Sequence, residues 1–362
     1  MTVRRPLTLF LVAAALMLAA APASARARKP PEEADHKVTA AVRKQVIDTA
    51  LQELTSKYVF PDVARKMVDH VRERQRAGAY DAITSARQLA EALTTDLQSI
   101  SQDKHLRVRL QPPGGAGKPA PAGDFGRFAA RVNYGFDKVE RLEGNVGYLK
   151  MQGFMPAALG GEVAAAAMTF LASTDALIID LRENGGGDPE MVALITSYLF
   201  GEEPVHLNDI YQRPTDSTTQ FWTRSYVPGR RFGATKPIYV LTSSYTFSAA
   251  EEFTYNLKSL GRATIVGETT GGGAHPGDMV QLAGRFAMFV PTGRAINPIT
   301  KTNWERTGVA PDVQASAAQA LDLAYVKALE RLAAAEKDQA QKAQLTQILA
   351  DQRRAAQAGG SK

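Results

Sequence analysis

The sequence predicts an α/β fold with a largely buried sheet, preceded by a small helical module. Two observations carry this. Between Val146 and Pro291 lie six short apolar runs, "VGYLKM" (146–151), "ALIIDLR" (176–182), "PIYVLT" (237–242), "ATIVGE" (263–268), "MVQLA" (279–283) and "FAMFVP" (286–291), and helical stretches at 160–172, 188–200 and 248–260 separate several of them. Strands that alternate with helices are covered on both faces, which is why such runs stay apolar instead of alternating with polar residues. Ahead of them, from Lys37 to about Ser99, apolar residues recur at three- and four-residue intervals, the helical period.

Residues 1–25 read as a secretory signal: Arg4 and Arg5, the run "PLTLFLVAAALMLAAAP", then the small-residue site Ala23-Ser24-Ala25. The run is shorter than the roughly 20 residues a membrane span needs, so the expectation is an exported, periplasmic or secreted chain with no stable membrane insertion, starting at Arg26. Loss of Arg4 and Arg5 lowers the formal charge from +6 to +4. The basic groups are scattered apart from "RARK" at the new N-terminus, a solvated tail without interleaved aromatics or zinc spacing, which argues against nucleic acid. The absence of Cys excludes disulfides, thiol nucleophiles, thiolate metal sites and a lipidated Cys.

The module at 34–110 reads as three helices. Val42, Val46, Ile47, Ala50, Leu51 and Leu54 form one stripe and Val63, Met67, Val68 and Val71 a second, with Pro61 between them. The third runs through Leu89, Leu93 and Leu97 from a cap at Thr84 or Ser85, and His70 falls on a polar, solvent-exposed side. "QPPGGAGKPAPAGD", Gln111 to Asp124, marks a linker taken to span 111–141. The α/β core then occupies 142–314, and the Ala-, Leu- and Gln-rich tail at 315–362 reads as one or two helices.

"ALIIDLRENGGGDPEM" is a buried strand, a glycine loop and a helix start capped by Asp188 with Pro189 at the first position. Backbone amides in such a loop can meet an anion. A polyphosphate is excluded, since no Lys-Ser/Thr follows the glycines and Asp188 and Glu190 would repel it. A transient oxyanion of acyl transfer needs only one or two N–H donors and fits better; a plain strand-to-helix turn is the alternative. Asp180 and Arg182 in the same stretch read as a structural pair.

Ser248 opens a second motif, "YTFSAAEEF". Ser248-Ala249-Ala250-Glu251 is a capping box, which alone accounts for every letter. A nucleophilic Ser also needs a base and a group to orient that base. Of the five His, His36 and His70 sit in charged helical surroundings and His206 in an irregular, exposed stretch. His105, where a helix gives way to an alternating strand, and His275, on a glycine-rich loop, both remain open as the base.

"LTTDLQSISQDKHLRV", "GNVGYLKM", "ALIIDLRENGGG", "TFSAAEEF", "IVGETTGGGAHP" and "NWERTGVAPDV" stand in the order seen in the carboxy-terminal processing, or tail-specific, serine peptidase family, and the chain most resembles the branch related to interphotoreceptor retinoid-binding protein. Over residues 37 to 320 this resemblance implies a ClpP/crotonase-like sheet-and-helix core. It implies Ser248 as the nucleophile. Members with a Ser-Lys dyad carry the Lys at the position of Gly273, so its absence implies a tricorn-like Ser-His-Glu site. His105, two residues after Asp103, then matches the base, Glu305 ahead of Gly308-Val309-Ala310-Pro311-Asp312 matches the orienting carboxylate, and His275 becomes the second choice. Glu305 could otherwise be a surface charge beside Arg306.

The glycines Gly185, Gly186 and Gly187 would supply one oxyanion donor and Ala249 the other. Only Leu110 to about Leu142 is available for an inserted PDZ domain, which is too short. The resemblance further implies cleavage of polypeptides near their C-termini through an acyl-enzyme, without metal or organic cofactor, on a substrate extended along a strand edge. Because the retinoid-binding relative carries apolar ligands, a non-catalytic carrier is the rival, and an esterase acting on small esters a third option.

Overall fold

A computed structural model describes residues 35–111 and 122–359. The signal expected at 1–25 lies outside them. In chain order the helices are α1 (Ala40–Lys57), α2 (Pro61–Arg76), α3 (Ala86–Ser101), α4 (Ala122–Arg131), α5 (Ala157–Leu171), α6 (Pro189–Ser197), α7 (Ala249–Ser259), α8 (Ala320–Ala335) and α9 (Gln339–Gly359). The strands are β1 (Arg107–Leu110), β2 (Phe136–Leu142), β3 (Val146–Met151), β4 (Ala176–Asp180), β5 (His206–Gln212), β6 (Ser217–Trp222), β7 (Ile238–Thr242), β8 (Thr264–Gly267), β9 (Gly277–Gln281), β10 (Phe286–Pro291), β11 (Gly293–Ile296) and β12 (Val313–Gln314).

The three N-terminal helices begin where the sequence signals them. The Thr39 hydroxyl accepts from the Val42 amide, Pro61 takes the first turn of α2, and the Ser85 hydroxyl accepts from the Gln88 amide. Their stripes bury Val46, Ile47, Leu54, Met67, Val71, Leu89, Leu93 and Leu97. The faces do not close on themselves. β1 pairs antiparallel with β10, which pairs with β9, and Val108 and Leu110 join Val280, Phe286, Met288 and Val290 in one core with the helices. Strands from far along the chain thus floor the module, and the described residues form one unit.

The principal sheet has the order β12-β8-β7-β4-β3-β2, parallel except for the antiparallel edge strand β2. Alternate residues face opposite layers. Leu149, Ile179, Val240 and Ile265 pack with α5, α6 and α7, while Tyr148, Ile178, Tyr239 and Val266 pack with α8 and Leu349 of α9, so the tail forms two helices and covers the second face. A third sheet, β11-β5-β6, lies beyond α7 in the contact order of the chain.

Several features depart from the sequence reading. The stretch assigned to a linker as far as residue 141 carries α4 and most of β2; "FDKVERL" is exposed or half-exposed after Phe136 because an edge strand is not covered on both sides. His206 is not in an irregular stretch. It opens β5, half-buried, its ring stacked on Trp222 at 4.2 Å and its Nε2 2.7 Å from Asp209. His70 is half-buried, 3.7 Å from Asp96. Among the described residues no helix is long and apolar enough to cross a membrane.

Candidate active site

β4 and β7 are parallel neighbours, so the loops that leave their C-terminal ends emerge side by side. One side-chain and one backbone bond lace the two loops together: the Thr246 hydroxyl donates to the Leu181 carbonyl at 2.8 Å, and the Phe247 amide donates to the Asn184 carbonyl at 3.1 Å. Ser248 comes next, at φ 56° and ψ −123°, a conformation that costs a non-glycine residue free energy and persists only where the surroundings enforce it. Its amide donates to Glu251 Oε2 at 2.9 Å, the carboxylate half of the capping box. The Glu251 amide donates to the Ser248 carbonyl at 2.8 Å.

Glycine is required opposite Ser248. A Cβ on Gly186 would lie 2.7 Å from the Ser248 Cβ and 3.0 Å from the Ala249 nitrogen, and one on Gly187 would lie 2.0 Å from the Phe154 carbonyl oxygen. The expected oxyanion donors divide. Gly186 donates to Asn184 Oδ1 at 2.9 Å and is therefore engaged. Among the described residues the amides of Gly187 and Ala249 donate to no protein oxygen.

His105 follows the left-handed Gln102 that ends α3, and its amide donates to Asp103 Oδ1 at 3.0 Å, so the turn into β1 aims the ring at the cleft. The ring lies 4.5 Å from that of Phe247 and 5.7 Å from that of Phe289. Burial lowers its pKa to about 4; Asp103 opposes this, while His275, Arg107 and Arg109 add to it. Its Nδ1 is buried without a partner. His105 and Ser248 line one cleft of about 730 Å³ together with Gly187.

Behind the ring is a buried acidic cluster. Asp103, fully buried, accepts from His275 Nδ1 at 2.7 Å and from the Tyr58 hydroxyl at 3.2 Å. Glu305 Oε2 accepts from the Ala274 amide at 2.6 Å and lies 3.5 Å from His275 Nδ1, whereas Glu305 Oε1 is buried with no partner. A ring nitrogen of His105 and carboxylate oxygens of Asp103 and Glu305 all lie within 4.8 Å of one another. Burial and the neighbouring Asp103 raise the Glu305 pKa. His275 is 5% exposed, sits edge-on to Phe60 at 5.2 Å, and lines a separate hollow with Glu305 instead of the cleft. Arg306 does not pair with Glu305; its guanidinium donates to the Ser101 carbonyl at 3.0 Å.

Two further residues frame the site. Glu251 is buried and accepts four bonds, from the Ser248, Gly272 and Gly273 amides and the Thr270 hydroxyl, so it ties the turn at Ser248 to the 270–273 loop. The capping-box pattern indicates only the first of these. Gly273, where the dyad members place Lys, has no room for a side chain: a Cβ would lie 2.2 Å from Phe247 and 2.7 Å from His105. A side chain at this position and the present His105 ring are alternatives. Asp180 and Arg182 form the expected structural pair at 2.6 Å, joined by the Tyr148 hydroxyl at 2.7 Å.

Residues 145–315 match the domain described as Peptidase family S41, and residues 37–133 match the N-terminal domain of Peptidase_S41 in eukaryotic IRBP. The chain belongs to peptidase family S41. It is a serine-type peptidase, and among the described residues only α4 and a short turn stand between β1 and β2, leaving no PDZ domain in evidence. Two solved structures share the fold of this S41 peptidase, and a third is similar at a lower score. A lipoprotein from Streptococcus agalactiae is 14% identical with a TM-score of 0.54, over 81% of this chain and 98% of that one. The tricorn protease is 14% identical with a TM-score of 0.50, over 86% of this chain and 37% of its own. A photosystem II D1 C-terminal processing protease is 18% identical with a TM-score of 0.48, over 77% of this chain and 94% of that one.

Proposed function

We propose that this S41 peptidase is an exported endopeptidase that cleaves polypeptides near their C-termini with Ser248 as nucleophile, His105 as general base and Glu305 as the group that orients the imidazole. One observation carries the reading. The two buried polar atoms left without partners beside the cleft are a donor and an acceptor, His105 Nδ1 and Glu305 Oε1, on residues whose polar atoms approach within 4.8 Å. An orphaned buried group is costly, and one hydrogen bond between the two atoms would satisfy both. That bond fixes Nδ1 as the protonated nitrogen and leaves Nε2 to accept the serine proton.

In the reaction, Ser248 Oγ attacks the peptide carbonyl carbon as its proton passes to His105 Nε2. The negative oxygen forms beside the free amides of Gly187 and Ala249 at the positive end of α7. The imidazolium returns its proton to the departing amine, the peptide C–N bond breaks and an acyl-enzyme remains. Water, deprotonated by the same imidazole, releases the acid and restores Ser248. Export is supported by the N-terminal run and its Ala23-Ser24-Ala25 site.

The test is covalent. A fluorophosphonate probe should modify Ser248, and Ser248→Ala should abolish both labelling and peptide cleavage. Labelling at Ser243 or Ser244 would overturn the assignment. A folded wild-type protein that resists the probe and binds apolar ligands would favour the carrier instead.

A further inference from the structure

We propose that Arg107 and Arg109 form a carboxylate-binding subsite in the cleft, so that the preferred peptide carries an anionic group on the β1 side of the scissile bond. This rests on the peptidase reading of the cleft. The pleat of β1 buries Val108 and Leu110 and turns Arg107 and Arg109 outward on one face. Residues two apart on a strand lie roughly 7 Å from each other, within the span of one carboxylate and two guanidinium groups. Arg107 stands in register with Phe289, which packs against His105, so the pair borders the reacting centre.

The charge balance of the cleft is one-sided. Lys104, Arg107 and Arg109 line it, and no Asp or Glu does. Lys104 is held by the Gly271 carbonyl and Arg107 Nε by the Lys104 carbonyl. Among the described residues no carboxylate lies within ion-pair distance of these three, and the Arg109 side chain makes no hydrogen bond. Some arginines elsewhere have such a counter-ion: Arg72 pairs with Asp48 at 2.6 Å, Arg224 with Glu190 at 3.0 Å and Arg353 with Glu330 at 2.6 Å.

Adjacent guanidinium groups without a counter-ion repel each other, and a carboxylate that accepts from both relieves this. Arginine offers a fork of donors suited to that group. Their field also reaches His105, whose protonation they disfavour. Beyond Gly187, Pro276 and Gly277 the cleft continues into a hollow of about 590 Å³ walled by Phe154, Ile210 and Phe221, which suits an uncharged side chain. The anionic group is thereby directed toward β1. It could be an Asp or Glu side chain or the substrate's terminal carboxylate, which share one chemistry.

Binding tests the subsite separately from catalysis. Full-length Ser248→Ala protein is titrated by fluorescence anisotropy with four labelled peptides of one sequence, carrying Glu or Gln at one internal position and a free or amidated C-terminus. At low salt a carboxylate-bearing peptide should bind about 10- to 100-fold tighter than its neutral partner. The Glu/Gln pair and the acid/amide pair show which carboxylate is used. Arg107→Gln/Arg109→Gln in the same background should reduce the preference to near unity, as should rising salt. Equal binding of all four peptides, or a preference retained by the double variant, would overturn the subsite. Probe labelling of wild-type Ser248 reports on the peptidase reading independently, so a dead nucleophile and an absent subsite give different results.

Discussion

On the cleft side of His105 the wall is cationic and open to solvent, built from Lys104, Arg107 and Arg109, whereas on the far side it is acidic and buried, built from Asp103 and Glu305 with His275 and Tyr58. One imidazole separates the two. The difference teaches how a half-buried histidine can serve as a base: its charge in the transition state is compensated by the rear carboxylates, while the front cations face the cleft. Each substitution below perturbs one wall and asks whether the other answers.

The largest effects should come from the residues between the walls. Ser248→Ala and His105→Ala should each lower turnover by about 10³-fold or more, as expected for members of a triad, and His275→Ala only modestly, because His275 lines the rear hollow. Single-turnover kinetics on one peptide measures all three. A larger loss with His275→Ala than with His105→Ala would move the base to His275 and dissolve the distinction between front and rear.

Glu305→Gln comes next. It keeps shape and one acceptor but removes the rear charge, so kcat should fall by roughly 10- to 10⁴-fold with KM nearly unchanged. Arg306→Ala is the control. Its guanidinium meets the Ser101 carbonyl, not Glu305, so turnover should persist with a stability cost of about 1 kcal/mol. Unchanged turnover in folded Glu305→Gln protein across pH 6 to 9 would remove Glu305 from the mechanism.

Much of this arrangement is legible in the sequence, and the limits have physical causes. The four central strands of the principal sheet, β3, β4, β7 and β8, read clearly because they are covered on both faces, as in "ALIID", which is buried throughout. β5 and β6, "HLNDIYQ" and "STTQFW", do not, since a partly exposed sheet admits polar residues that match neither period. Nothing near Arg107 indicates that it will pair with Phe289, so the joining of the helical module to β10 is invisible locally. The site divides in the same way. Ser248 and the glycine loop announce themselves in short motifs, while the choice between His105 and His275 rests on contacts across about 170 residues, such as that of His275 with Asp103. Asn184 precedes the glycines in plain view, yet its capture of the Gly186 amide is a matter of side-chain geometry.

Glu251 offers a smaller, structural test of what holds the front of the site. All four of its partners donate, which requires an anion, while burial pushes its carboxyl up to about 7 from an ordinary 4.5. Glu251→Gln turns an amide donor toward other donors and should cost about 1–3 kcal/mol in denaturant unfolding. The sign with pH is fixed: a raised folded pKa means the unfolded state loses this proton first, so the group's contribution falls as pH rises from about 4.5 to 7. The variant should lack that slope. Identical pH dependence in both proteins would show that the fold does not shift the Glu251 carboxyl.

The finest test uses the pH profile of kcat/KM, which reports the free enzyme. With His105 as base, the acid limb should lie near pH 4 and not near the ordinary 6.5, because burial dominates its environment. The two walls then act with opposite signs. Arg107 and Arg109 disfavour the imidazolium, so Arg107→Gln/Arg109→Gln should move the limb up, by less than about one pH unit since burial is the larger cause. Asp103 favours the imidazolium, so Asp103→Asn should move it down, with circular dichroism confirming that the buried site still folds. Salt separates the walls further: exposed charges are screened and buried ones much less, so added salt should mimic the arginine variant and leave the direction of the Asp103→Asn shift intact. Stability follows the same sign, since a histidine whose folded pKa is depressed loses its contribution as pH falls from 6.5 toward 4. A limb that stayed at 6.5 in all three proteins would mean that the catalytic base is a solvated histidine, and that the opposed walls around His105 do not govern the reaction.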